Sequence, residues 1–453
     1  MSRDAAGDTR RVGSDTISYS TDLREAIREF LPRSGLALVV DDHKLRWVPR
    51  MLVTCAILLT WDLAGMLTDA FERSRAVVVK MYPSRRRPGE SYAGFMATLA
   101  RQTAKLLGII RPCLREHVRK LARRQGLWRV GGFAAFGVDG SRVECPMTAA
   151  NEKAFGTAGK SKTGPQQFLT TIFHIATGLI WDFRRGDARA SERSHLLEML
   201  GDLPADALLL ADAGFTGYDL LRQIIDSGRS LLIRVGSNVR LLAKLGWCCQ
   251  EYDGIVYLWP DKAQKKRQSP LVLRLITLAD ARNRRVHLIS SVLDQTRLSD
   301  AQGLRLYRRR WGVELIYRSL KQTLGKRKLR CDAPDKAQVE LDWALVGLWL
   351  LGLLSVSRIL LAGGRPQDWS VAASLRAVRQ AMSGRPTRRG DSGWLHRALA
   401  AAVKDPYVRQ APKTARHWPH KKKDKPPGDP RARMASESEI QLAAELRIHR
   451  PAA

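Results

Sequence analysis

The stretch FLTTIFHIATGLIWDFRRG, residues 168–186, decides the fold. It holds two runs rich in β-branched and aromatic residues that meet at Thr177-Gly178, the pattern of paired strands joined by a tight turn. Upstream, FAAFGVDG at 133–140 is a third apolar run, closed by Asp139 and Gly140. Downstream, SERSHLLEMLGDL at 191–203 has the Ser cap and the spacing of a helix, and ADALLLAD at 205–212 is a buried strand ending in Asp212. GYDLLRQIIDSG at 217–228 is a second helix, closed by Gly228, and SLLIRV at 230–235 is another buried strand.

The order strand, strand, strand, helix, strand, helix, strand predicts an α/β domain of the ribonuclease H-like kind, a mixed sheet with flanking helices. Over 236–298 the texture changes to short β-rich runs, GIVYLWP, LVLRLITL and VHLISSVL, separated by polar and basic loops, which predicts a β-rich insertion. One long helix is expected from Ser299 to Leu324, with Gly325 as its stop, followed by an apolar helix from Val339 to Leu361. The chain then divides into an all-helical N-terminal region over 1–127, for which a DNA-binding role and a structural one are equally open, the α/β domain over 128–362, and a basic, partly helical region over 363–453. The last of these contains KTARHWPHKKKDKPPGDPRARMA from Lys413, a Pro-rich cationic segment suited to phosphates.

Lys and Arg number 77 against 44 Asp and Glu, a net charge of +33 spread along the whole chain, so the expected partner is a polyanion. Nucleic acid fits better than a membrane surface, which more usually draws basic residues into one amphipathic helix. The apolar stretches from Met51 and from Trp343 read as buried core helices, the second being too short to cross a bilayer. The six cysteines form no C-x-x-C pair, which argues against a zinc site and for reduced thiols. The N-terminus has no apolar segment of the secretory kind, so a cytoplasmic protein, associated with the nucleoid when bound to DNA, is expected.

Within LYRRRWGVELIYRSLKQTLG, residues 306–325, a single acid stands among cations. On a regular helix Tyr307, Arg310, Glu314 and Lys321 fall within about 60° of one face, while Val313, Ile316, Tyr317, Leu320 and Leu324 form an adjacent apolar face for the sheet. For an anonymous helix such a row is a solvated surface. Here Asp139 and Asp212 end two strands and Glu314 lies on the helix that returns to them, and carboxylate oxygens are hard ligands suited to Mg²⁺ or Mn²⁺.

The spacing Y-x2-R-x3-E-x6-K at Tyr307, Arg310, Glu314 and Lys321, with the DG at Asp139 and ADAGF at Asp212, resembles the DDE transposases of the insertion-sequence-four family over about residues 130–362. The resemblance implies Asp139, Asp212 and Glu314 as catalytic, metal-holding acids, with Tyr307, Arg310 and Lys321 gripping DNA phosphates. It further implies two Mg²⁺ or Mn²⁺ ions, double-stranded DNA with terminal inverted repeats, a target DNA, and a homodimer on paired ends. A Trp of the insertion stacks on a flipped base in that family, making Trp247 and Trp259 candidates, although core packing is the simpler role for either.

Asp182, Asp187 and Asp206 are alternatives to Asp212 that its place at a strand end disfavours. Lys160 and Lys162 could touch DNA or be ordinary solvated lysines. His174 reads as packed on a strand and His195 as lying on a helix surface, both outside the chemistry. Two other functions fit parts of the pattern: a DNA-binding protein descended from a transposase that no longer cuts, and a structure-selective nuclease on the same fold.

Overall fold

The computed structural model describes residues 22–37, 46–62, 65–84, 87–158, 164–248, 251–252, 254–279, 285–384, 393–405 and 428–448. Lys160, Lys162 and most of the cationic segment from Lys413 lie outside the described residues.

Five strands carry the centre: β1 (Ala134–Glu144), β2 (Gln166–His174), β3 (Ile180–Gly186), β4 (Ala207–Ala211) and β5 (Ser230–Val235). β1, β2 and β3 form an antiparallel meander, and β4 and β5 add in parallel on the other side of β1. Parallel neighbours need crossover helices, and the sequence supplies them as Glu192–Leu200 before β4 and Tyr218–Asp226 before β5. Every residue of β2 and β4 is buried, which explains why β4 reads as a continuous apolar run. A short helix between β1 and β2, Ala149–Phe155 with Thr148 as its cap, was not part of the expected order.

The β-rich insertion continues the same sheet. β6 (Arg240–Ala243), β7 (Ile255–Leu258), β8 (Leu271–Ala279) and β9 (Arg285–Ser290) attach through β9, which runs antiparallel to β5. β10 (Arg431–Met434) then pairs in parallel with β6, giving the order β10-β6-β7-β8-β9-β5-β4-β1-β2-β3. The insertion thereby covers the backbone edge that β5 would otherwise expose. Trp247 and Trp259 are buried within it, and Trp259 Nε1 donates to Gln268 O at 2.6 Å, so both serve packing.

The apolar helix spans Pro334–Leu361 and passes the length and hydropathy test for a membrane span, yet 83% of its most apolar window is buried inside the fold. N-terminal helices cover it: Trp61 of Pro49–Trp61 donates through Nε1 to Gly347 O, and Trp343 donates to Thr103 Oγ1 on Tyr92–Arg124, both at 3.0 Å. The long Tyr92–Arg124 helix is also pinned to β3, where Arg115 Nη1 donates to Asp182 Oδ2 at 2.8 Å, with Arg111 and Arg184 on the same carboxylate.

The helix expected as one piece from Ser299 to Leu324 is divided. It runs over Asp300–Arg309 behind a Ser299–Gln302 capping box and resumes over Gly312–Arg318, then widens to a π-helix over Ser319–Thr323. At the first break the chain tightens, with Val313 N bonded to Arg310 O and Glu314 N to Trp311 O, both three residues back. Close packing accounts for the break: a Cβ on Gly312 would stand 2.9 Å from Phe173 Cε2 on β2, so the backbone there lies against the ring. Overwinding followed by underwinding upsets the 100° phase on which a single polar face depends. Tyr307 and Arg310 are buried, Lys321 is half-buried and Glu314 is exposed. The five apolar residues of the adjacent face are all buried, as expected.

Candidate active site

In β1 the residues Gly137, Asp139 and Ser141 point to one face, and the 300–323 segment lies over that face. Phe173 reaches from β2 to cover Gly137. Arg310 Nη1 stands 3.6 Å from Asp139 Oδ2, and Lys321 Nζ donates to Ser141 Oγ at 2.8 Å. Tyr317 anchors the same segment by donating its hydroxyl to the Asp139 carbonyl at 2.6 Å. Three side chains of the helical segment, Arg310, Tyr317 and Lys321, are thus registered against Asp139 and Ser141 of one strand.

β1 and β4 pair in parallel up to Gly137 opposite Leu210, and continuing that register brings Asp212 level with Asp139. Asp212 caps the turn Ala213–Phe215, its Oδ1 accepting from Gly214 N at 2.8 Å. Burial is the main influence on Asp139 and raises its pKa; the Arg310 charge opposes this, while Asp212 and Glu314 push it upward. Asp212 and Glu314 are therefore both close enough to repel Asp139.

A further acid, read in the sequence only as part of a helix, is present. Glu192 opens the helix Glu192–Leu200, and its carboxylate fills the space left by two glycines. A Cβ on Gly140 would lie 2.9 Å from Glu192 Oε2, and one on Gly214 would lie 2.6 Å from Glu192 Oε1 and 2.9 Å from Asp212 Oδ1. Burial, then the charges of Asp212 and Asp139, raise its pKa to about 7. Asp139 lies within β1 and not at its end as expected, and the legible signal for Glu192 was a glycine within two residues of each acid, the mark of a close approach.

On the cationic side, burial raises the Tyr307 hydroxyl and lowers the Lys321 ammonium. Among the described residues, Tyr307 Oη and Arg310 Nε and Nη1 are buried without a hydrogen-bond partner. Glu314 also borders a cavity of about 600 Å³ lined by Trp311, Arg318, Trp349 and Trp369.

The alternative acids have other work: Asp182 is fully buried among arginines, Asp187 accepts from Arg189 N, and Asp206 pairs with Arg129. His174 is packed, bonded to Thr177 and to the Trp128 carbonyl. His195 corrects its reading as a surface residue, for it is buried with Nδ1 3.0 Å from Thr170 Oγ1, because its helix lays that side on β2.

The donor set suits a hard divalent cation in kind, since it is all carboxylate oxygen and a positive charge would relieve its mutual repulsion. Among the described residues, no three acids already meet at one coordination point.

The fold and the site are those of a mixed α/β protein with a carboxylate-centred cleft beneath a cationic helix. Residues 135–350 match the family model of the transposase DDE domain. The chain is also 27% identical over 231 residues to the transposase InsG for insertion sequence element IS4 of Escherichia coli strain K12, covering 48% of this chain and 50% of that protein. The match thus spans about half the length of the curated relative. Residues 135–350 are therefore similar to the transposase DDE domain, and the relative that shares part of this chain is a transposase of the insertion-sequence-four type. Among solved structures, the piggyBac transposase synaptic complex with hairpin DNA aligns over 90% of this chain and 86% of that one, at a TM-score of 0.40 and 12% identity, a likeness too slight to carry weight.

Proposed function

We propose that the protein is a DNA transposase that cleaves transposon ends by phosphodiester hydrolysis and joins them to target DNA by transesterification, on a ribonuclease H-like core. The observation that carries this reading is the set of buried donors on Tyr307 and Arg310 that lie beside the acids without a hydrogen-bond partner among the described residues. Leaving such donors unmet costs about 1–3 kcal/mol each, so a fold that keeps them is shaped for an anionic ligand that satisfies them, and phosphate oxygens accept charge-assisted hydrogen bonds from Arg.

Asp139, Asp212 and Glu314 would hold Mg²⁺ or Mn²⁺, two ions in all, which supply charge to activate the attacking oxygen and steady the leaving one. Arg310 and Tyr307 hold the scissile phosphate against Asp139, and Lys321, tethered at Ser141, takes a phosphate further along the strand. Water attacks the phosphorus and the bond to the 3′ oxygen breaks, releasing a 3′-OH and a 5′-phosphate; that hydroxyl then attacks a target phosphodiester, forming a new 3′-O–P bond as the target's own 3′ oxygen leaves as a hydroxyl. The net charge of +33 suits DNA as the partner, and the homodimer on paired ends is the assembly that the resemblance implies.

The test is incubation of the purified full chain, with Mg²⁺ or Mn²⁺, on DNA carrying the inverted repeats that flank its own gene. Nicks at the repeat ends that disappear in Glu314→Gln are expected. DNA binding without cleavage by the unmodified protein would replace this reading with that of a silent DNA-binding descendant.

A further inference from the structure

We propose that Glu192 is a fourth carboxylate of the cation site, joining Asp139 and Asp212 from the opposite face of the sheet. This rests on the metal-dependent reading above.

Glu192 is not one of the three acids that the motif spacing picks out, and it reaches the site by a different route. Asp139 points toward the cationic helix, whereas Gly140, the next residue of β1, points to the other face, where the Glu192 helix packs. Any side chain at Gly140 would collide with both Phe168 and Glu192 Oε2, and any at Gly214 would collide with Glu192 Oε1. The two glycines thus form an opening through which the carboxylate reaches the level of Asp139 and Asp212, one oxygen toward each glycine. Arg193 fixes the position, its Nε donating to Gly214 O at 2.8 Å, so the helix start is tied to the Asp212 turn.

Glu192 is half-buried and makes no hydrogen bond or ion pair among the described residues. A carboxylate at the first position of a helix gains a little from the macrodipole, on the order of 0.3–1 kcal/mol. That gain is small against crowding by two like charges in a partly buried place, and Ser191 already caps the helix by accepting from Arg193 N. A helix-stabilising acid would be as well placed facing solvent. What favours its actual position is a cation shared with Asp212, whose Oδ1 faces the same space above Gly214. Independently, Tyr307 and Arg310, both more than nine-tenths buried, hold unpartnered polar atoms beside Asp139, which marks the place as built for a ligand.

The experiment measures Mn²⁺ binding by calorimetry, and melting temperature with and without Mn²⁺, on the full chain and on Glu192→Gln, Glu192→Asp, Asp139→Asn and Glu198→Gln. Glu192→Gln is expected to weaken Mn²⁺ by roughly 10–100-fold, with Glu192→Asp between it and the unmodified protein and the exposed neighbour Glu198→Gln unchanged. Without metal, Glu192→Gln should melt at the same temperature or higher, because a repelled charge has gone. If Asp139→Asn loses Mn²⁺ while Glu192→Gln and Glu192→Asp bind it as the unmodified protein does, the proposal is overturned and the cation site stands. Lower metal-free melting with unaltered Mn²⁺ affinity would likewise overturn it, making Glu192 a helix-stabilising residue. If the unmodified protein takes up no Mn²⁺ at all, the metal-dependent reading falls, and this proposal with it.

Discussion

Replacing Arg310 with methionine separates a residue kept for a ligand from one kept for the fold. Arg310 is buried, with Nε and Nη1 unpartnered and Asp139 Oδ2 3.6 Å from Nη1. Removing the unmet donors returns about 1–3 kcal/mol for each. Losing the attraction to Asp139 costs about 1–4 kcal/mol at that separation, for effective dielectrics between water and the protein surface. These oppose each other, and methionine keeps much of the volume, so folding stability should lie between about 2 kcal/mol lower and about 5 kcal/mol higher than that of the unmodified protein. The DNA-bound state has no such compensation. Two charge-assisted hydrogen bonds to a phosphate contribute about 1.5–3 kcal/mol each, so single-turnover nicking should fall by roughly 10²–10⁴-fold. Urea unfolding without DNA and nicking of pre-bound repeat ends give the two values. A loss of stability above about 3 kcal/mol, with nicking falling only as the folded fraction falls, would make Arg310 the partner of a structural ion pair and refute the reasoning.

Asp182→Asn should behave in the opposite way: its fully buried carboxylate gathers Arg111, Arg115 and Arg184, so removing the charge should cost about 3–5 kcal/mol in urea unfolding while the folded fraction nicks DNA normally. A defect in nicking at full stability would instead place Asp182 in the chemistry. Gly312→Ala should cost about 1–3 kcal/mol through contact with Phe173, offset in part by alanine's better helix propensity, and should reduce nicking further by shifting Glu314. Adding Phe173→Leu should recover most of that nicking, and failure of the double variant to improve on Gly312→Ala would mean that ring contact does not set the position of Glu314.

What the residues alone determine here is local. The β-branched and aromatic runs of FLTTIFHIATGLIWDFRRG, caps such as Ser191 and Ser299, and stops such as Gly228 depend on neighbours within a few positions, so the central strands and crossover helices were legible. Asp139 and Asp212 stood out because each closes an apolar run, and the five apolar residues from Val313 to Leu324 because helical spacing aligns them. The tertiary structure decided whatever depends on partners distant in the chain. Phe173 against Gly312 breaks the helix and sends Arg310 inward while Glu314 stays exposed. The edge of β5 recruits the insertion into one sheet, and the chain's last strand closes it. Two glycines more than seventy positions apart admit Glu192 from the far face. A charged side chain's role follows from the dielectric and the charges around it, and those are supplied by segments that spacing along the chain does not bring together.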